Sequence, residues 1–158
     1  MDLILIRHGQ SEANVGLSTE PDCDLTPFGC DQAGQVADQL AAIDLREFSG
    51  IVSPYRRARR TAQVITDRTG VPFTVDPLIR EWGAECRIDG CVYPQESRQA
   101  LADRIGRFLE SARDRKLVIV AHAAPLAALM QLAAGKQPDL SGEFWLGVEN
   151  CKIYRTNA

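Results

Sequence analysis

No apolar run in this sequence approaches the ~18 residues that a membrane-spanning helix needs, and no charged segment precedes a short cleavable apolar stretch. The chain is therefore expected to be cytoplasmic, with no membrane partner. Cysteine is too scarce and too irregularly spaced for a disulfide framework. The five residues, at positions 23, 30, 86, 91 and 151, are an odd number, and no histidine near Cys86 or Cys91 completes a zinc knuckle. They read as buried or inert thiols in a reducing compartment. Positive charge is not in excess either. A net charge of −3 argues against a global basic field for nucleic acid. Internal repeats, low-complexity tracts and linker-like shifts of composition are also absent. Histidine occurs only twice in 158 residues.

A length of 158 residues suits one domain over residues 1–158, with enough chain to bury a core unaided. Leu3-Ile4-Leu5-Ile6 places apolar side chains on consecutive positions, the pattern of a strand covered on both faces. Thr26 reads as an N-cap, with Pro27 opening a helix whose buried stripe is Ala33, Val36, Ala37, Leu40 and Ala41. A strand is expected from Phe48 to Ser53. A helix follows from Arg56 to Arg68, stopped by Gly70, and then a weaker strand, Phe73-Thr74-Val75. Residues 81–96 show no clear periodicity and read as an irregular lid or binding wall, or else as an element that the pattern hides. A third helix carries Leu101, Ile105, Phe108, Leu109 and Ala112 on one face. The strand at 117–121 leads into an Ala/Leu-rich helix from Pro125 to Ala134, and the tail from Phe144 to Arg155 reads as one or two edge strands. Alternating strands and helices predict an α/β fold, a three-layer α/β/α sandwich on a mainly parallel sheet.

Both histidines follow buried strands, in Arg7-His8-Gly9 and in Ala121-His122-Ala123. Ligands of open α/β sheets bind outside the carboxyl ends of strands, so the two imidazoles are expected in one site. An imidazole with a free ring nitrogen is a nucleophile toward phosphorus or carbonyl carbon. The planar fork of the adjacent Arg7 suits phosphate oxygens. Asn14 can donate its amide to the same anion, and Gly9 allows close backbone approach. In Ser53-Pro54-Tyr55-Arg56-Arg57-Ala58-Arg59-Arg60-Thr61-Ala62, a strand end enters a helix. Helical spacing turns Arg57 toward the sheet and leaves Arg56, Arg59 and Arg60 facing solvent.

Taken in order, Arg7-His8-Gly9 with Ser11 and Asn14, Leu25-Thr26-Pro27-Phe28-Gly29 with Gln32-Ala33, Ser53-Pro54 with Arg57-Ala58 and Thr61-Ala62, and His122 after an apolar strand resemble the histidine phosphatase superfamily. That group includes phosphoglycerate mutases and many small phosphatases. The resemblance implies that His8 takes the phosphoryl group. It also implies that Arg7, Arg57 and His122 surround the phosphate, that Asn14 hydrogen-bonds it, and that Glu81 in Ile79-Arg80-Glu81 is the general acid, with Glu85 as the alternative. The chain departs from the family pattern in following its second histidine with Ala123 where glycine is usual, so the turn there must avoid positive φ. The expected activity is metal-independent hydrolysis of phosphate monoesters, with no cofactor. The substrate is a phosphorylated small molecule or a phosphoprotein. Mutase-type phosphoryl transfer, phosphohistidine protein phosphatase activity and non-catalytic phosphate binding are the alternatives.

Overall fold

The computed structural model describes residues 1–139, 141 and 144–157. Strands β1 (Asp2–Arg7), β2 (Ser49–Val52), β3 (Phe73–Val75), β6 (Lys116–Ala121) and β7 (Ile153–Asn157) form one sheet in the order β3-β2-β6-β1-β7. The first four of these run parallel, and β7 closes one edge antiparallel to β1. Helices α1 (Pro27–Ala41) and α2 (Arg56–Thr69) cover one face, and α3 (Arg98–Ser111) and α4 (Ala123–Ala133) cover the other.

The consecutive apolar residues of β1 explain this layering. Strand side chains alternate between faces. Leu3 and Leu5 therefore pack with Ile105, Phe108 and Leu126, while Ile4 and Ile6 pack with Val36, Leu40, Ala62 and Ile65. All four β1 residues are fully buried. Thr26 caps α1 by accepting from the Gly29 N–H at 3.0 Å, and α2 ends at Gly70 in the left-handed region.

Three expectations are corrected. Residues 81–96 are not irregular throughout, because strands β4 (Cys86–Ile88) and β5 (Cys91–Tyr93) pair there as a hairpin. Its turn is Asp89-Gly90 with both φ positive (50° and 80°), the two-residue geometry that twists with its strands. Helix α4 begins two residues before Pro125. A proline in the first turn forfeits only a donor that has no intrahelical partner, so the helix starts directly after His122. The tail supplies one of the one or two edge strands expected, but that strand starts only at Ile153, and Phe144–Gly147 is a 3-10 turn.

The register fixes where the chemistry sits. β6 lies between β2 and β1, so the residues that follow these three strands, Ser53, His122 and His8, meet at one edge. Backbone bonds extend the sheet to them, with the N–H of His8 on the Ala121 carbonyl and that of Ser53 on the Val120 carbonyl, both at 3.0 Å.

Candidate active site

His8 and His122 face each other edge to face, with ring centroids 5.0 Å apart. Nδ1 of His8 lies 2.7 Å from the Gly9 carbonyl oxygen, which can only accept, so Nδ1 carries the proton. Nε2 accepts from Nε–H of Arg57 at 3.1 Å. Both contacts select the same neutral tautomer. Burial, then the positive charges of Arg57 and Arg7, hold this imidazole well below the ordinary histidine range.

His122 is the N-cap residue of α4 in extended conformation (φ −125°), and Ala123 then takes helical angles with no positive φ. Its Nε2 lies 2.7 Å from the Ser53 hydroxyl. Its Nδ1 has no hydrogen-bond partner and lies 3.6 Å from Oε2 of Glu81, too far for a hydrogen bond. Burial, followed by the charge of Arg57, depresses this imidazole also.

The structure thus brings together His8, Arg57, His122 and Glu81. Arg57 is buried, as its helical position implies. Its Nη1 donates to the Pro21 carbonyl at 2.6 Å, and its guanidinium lies 4.7 Å over the Tyr55 ring. Arg56 and Arg60 are exposed, whereas Arg59 is half-buried and pairs with Asp89 of the hairpin turn at 2.7 Å. Arg7 leaves the end of β1 with Nη1 on the Val148 carbonyl at 2.6 Å and a buried Nε that has no partner. The Glu81 side chain is 25% exposed, and its Oε1 accepts from the Trp82 N–H at 2.9 Å. Burial raises its carboxyl above the ordinary range. Glu85 is exposed and lines a cavity with Glu20, Asp22 and Arg87.

Asn14 is exposed in a 3-10 turn (Glu12–Val15). Its carboxamide oxygen is committed to the Ser11 N–H at 3.0 Å, which leaves Nδ2 as the donor for an anion. Packing also requires Gly9 to be bare: a Cβ there would stand 2.3 Å from the Gly29 carbonyl oxygen, at the start of α1.

Among the described residues, three buried side-chain polar atoms lack a partner: Nε of Arg7, Oγ of Ser11 and Nδ1 of His122. Two of the three belong to residues singled out for phosphate. Buried polar groups are normally paired, so such a set marks a place for a polar ligand. Also among the described residues, no cluster of three or more His, Cys, Asp or Glu could hold a metal ion, and no helix is long and apolar enough to cross a membrane. All five cysteines are free.

Several supporting residues had no role assigned from sequence. Thr61 accepts from the Gly9 N–H at 3.1 Å, and its position one turn after Arg57 is a readable signal. The Asn150 amide donates to the His8 carbonyl at 2.7 Å from 142 positions away, which no local pattern announces.

A family model described as "Histidine phosphatase superfamily (branch 1)" matches residues 3–91, a span that includes His8, Arg57 and Glu81 and ends before His122. A "Probable phosphoglycerate mutase GpmB" of Escherichia coli is 27% identical over 186 aligned positions, covering 99% of this chain and 85% of the relative. Among solved structures, a mycobacterial glucosyl-3-phosphoglycerate phosphatase complexed with VO3 superposes with a TM-score of 0.74 at 23% identity, covering 98% of this chain and 90% of that one. A putative alpha-ribazole-5'-P phosphatase from Escherichia coli gives 0.79 at 21% identity, covering 98% and 89%. These likenesses carry the fold.

Proposed function

Because the chain belongs to the histidine phosphatase superfamily, we propose that it is a metal-independent phosphomonoesterase working through a phosphohistidine on His8. The observation that carries this reading is the tautomer of His8. The Gly9 carbonyl holds the proton on Nδ1, which leaves the Nε2 lone pair free for phosphorus once Arg57 turns from it to a phosphate oxygen.

A phosphate monoester carries up to two negative charges that repel a nucleophile, and phosphoryl-transfer catalysis is largely positioning and charge stabilisation. Arg7 and Arg57 neutralise that charge. The unpartnered Arg7 Nε–H and Ser11 hydroxyl, with the Asn14 amide, donate to the oxygens. If Ser53 donates its hydroxyl proton to Nε2 of His122, Nδ1 of that ring carries a proton and becomes a further donor. Nε2 of His8 then bonds to phosphorus as the P–O ester bond breaks, and Glu81 gives its proton to the departing oxygen. In the second half, the Glu81 carboxylate takes a proton from water, whose oxygen attacks phosphorus. The P–N bond breaks, its electron pair returns to Nε2, and phosphate leaves.

Hydrolysis is favoured over mutase transfer because a mutase must enclose its first product while the product turns. The relative named as a probable mutase spans more aligned positions than this chain has residues, so it carries insertions that this chain lacks. A carboxyl that burial raises above the ordinary range, as at Glu81, suits an ester, whose oxygen leaves poorly, better than a phosphoramidate, whose nitrogen needs less help.

Quenching turnover of a radiolabelled aryl phosphate into alkali tests the reading, since phosphoramidates survive base and decompose in acid. Label is expected on a peptide containing residues 1–14. It should be lost, with nearly all turnover, in His8→Ala, while phosphate binding persists on the arginines. Label on His122 or on a serine, or an active His8→Ala, would overturn it.

A further inference from the structure

Glu81 stands on a stretch with little secondary structure of its own, just after the short 3-10 turn Pro77–Ile79. A side chain on such a stretch keeps its place only if neighbouring groups tie it down. Two charged residues outside the phosphate cluster provide the ties. Arg104, on α3, is 2% exposed although it is an arginine. Its Nη1 donates to the carbonyls of Leu78 and, at 3.1 Å, of Arg80. Its Nε and Nη2 grip both carboxylate oxygens of Glu96, the former at 2.9 Å. Glu96 in turn accepts from Nη2 of Arg80 at 3.0 Å, and its carbonyl accepts from the Trp82 indole at 3.0 Å. Its N–H donates to the Gly83 carbonyl at 3.4 Å. Residues 78 and 80 before Glu81, and 82 and 83 after it, are therefore each bonded to Arg104 or Glu96.

A buried ion pair is seldom the most stabilising way to fill such space, since well-packed apolar residues often do as well. What this pair adds is direction, because the planar fork fixes carbonyls and carboxylate at set angles. From this we propose that Arg104 and Glu96 are positioning residues for Glu81. They bracket its backbone so that the carboxyl meets the leaving oxygen beside His122, and they thereby sustain turnover of esters with poor leaving groups. The proposal rests on the acid role given to Glu81 above.

The experiment is a double-mutant cycle between Arg104→Lys and Glu81→Gln, read as kcat/KM on glycerol phosphate and on p-nitrophenyl phosphate. Lysine keeps the charge but cannot hold two carbonyls and a carboxylate pair together. Misplacing the acid by a fraction of an ångström should cost roughly 10- to 100-fold on the alkyl ester. The aryl ester, whose leaving group departs without a proton, should lose far less. In the Glu81→Gln background, Arg104→Lys should cost nothing further on the alkyl ester. Glu96→Gln, which removes one charge and keeps the shape, should reproduce the selective loss if the lysine variant folds poorly. Equal losses on both esters, or the same loss with and without Glu81, would show that the pair only supports the fold and would overturn the proposal. Failure of the underlying reading would look different, as a Glu81→Gln enzyme with undiminished alkyl turnover.

Discussion

Arg57 donates its Nε–H to Nε2 of His8 across 3.1 Å, so the nitrogen proposed to attack phosphorus is held by the cation proposed to receive the phosphate. The pairing occupies the lone pair until an anion draws the guanidinium away. After burial, which is the larger cause, it also helps to keep the imidazole neutral, because a proton on Nε2 would face a positive charge.

Replacing Arg57 by methionine removes that charge, so the His8 pKa should rise toward the ordinary histidine range. Activity needs the neutral ring and is lost as pH falls through that pKa. The acid limb of the kcat/KM profile should therefore move to higher pH, and the rate at its plateau should drop ~100- to 1,000-fold, as for loss of one oxyanion donor. Arg57→Lys should keep the limb where it is and leave the rate low. A limb that stays put in the methionine variant would mean that burial alone sets the His8 pKa.

Glu81 is held above the ordinary carboxylate range by burial, and as an acid it must carry its proton. Alkyl-ester kcat/KM should therefore fall as pH rises through that raised value. Glu81→Gln should abolish this basic limb and lower the alkyl rate by about 100- to 10,000-fold, with a much smaller loss on aryl esters. Persistence of the limb in the glutamine variant would shift the acid role to Glu85 or elsewhere.

Two glycines of α1 should respond to alanine with opposite signs. At Gly34 an added Cβ meets nothing within 4 Å, so the substitution should stabilise by about 0.5–1 kcal/mol through helix propensity. At Gly29 the Cβ would stand 2.0 Å from the Gln10 carbonyl oxygen, and the loop after His8 would have to move away from the helix. Urea unfolding should show Gly29→Ala to be destabilised by more than ~1 kcal/mol, with activity reduced. A stabilised Gly29→Ala would mean that the close seam between the loop and α1 relaxes freely.

The layers and the sheet edge were legible in the sequence because β1 and β6 are apolar at consecutive positions, and only strands covered on both faces need that. His8 and His122 could be placed together for the same reason, as could Arg57, whose spacing from Thr61 sets its direction. The Asp89-Gly90 hairpin is hard to read from sequence because its strands are three residues each and carry no alternation long enough to show. Its turn dipeptide was the available signal. Arg104 and Asn150 were invisible for another cause. Each acts on backbone groups far off in sequence, and a lone arginine on a helix ordinarily faces solvent.

The two buried imidazoles should also make stability depend on pH. Each has a folded pKa below its unfolded one, so beneath the ordinary value near 6.5 the unfolded chain binds more protons. Stability should then fall as pH drops from 7 toward 5, by up to about 1.4 kcal/mol per pH unit for each ring. Glu81 works the other way. Its folded pKa is raised, so its contribution is present below the unfolded carboxylate value and is lost as pH rises through the folded one. Denaturant melts at pH 7 and pH 5 separate the two effects. His122→Gln should show a shallower loss than the parent protein, because one buried ring no longer titrates. Glu81→Gln should show a steeper loss, because the opposing carboxyl is gone. An unchanged slope in His122→Gln would mean that this imidazole takes up its proton as readily folded as unfolded, which its enclosed position between Ser53 and Tyr55 argues against.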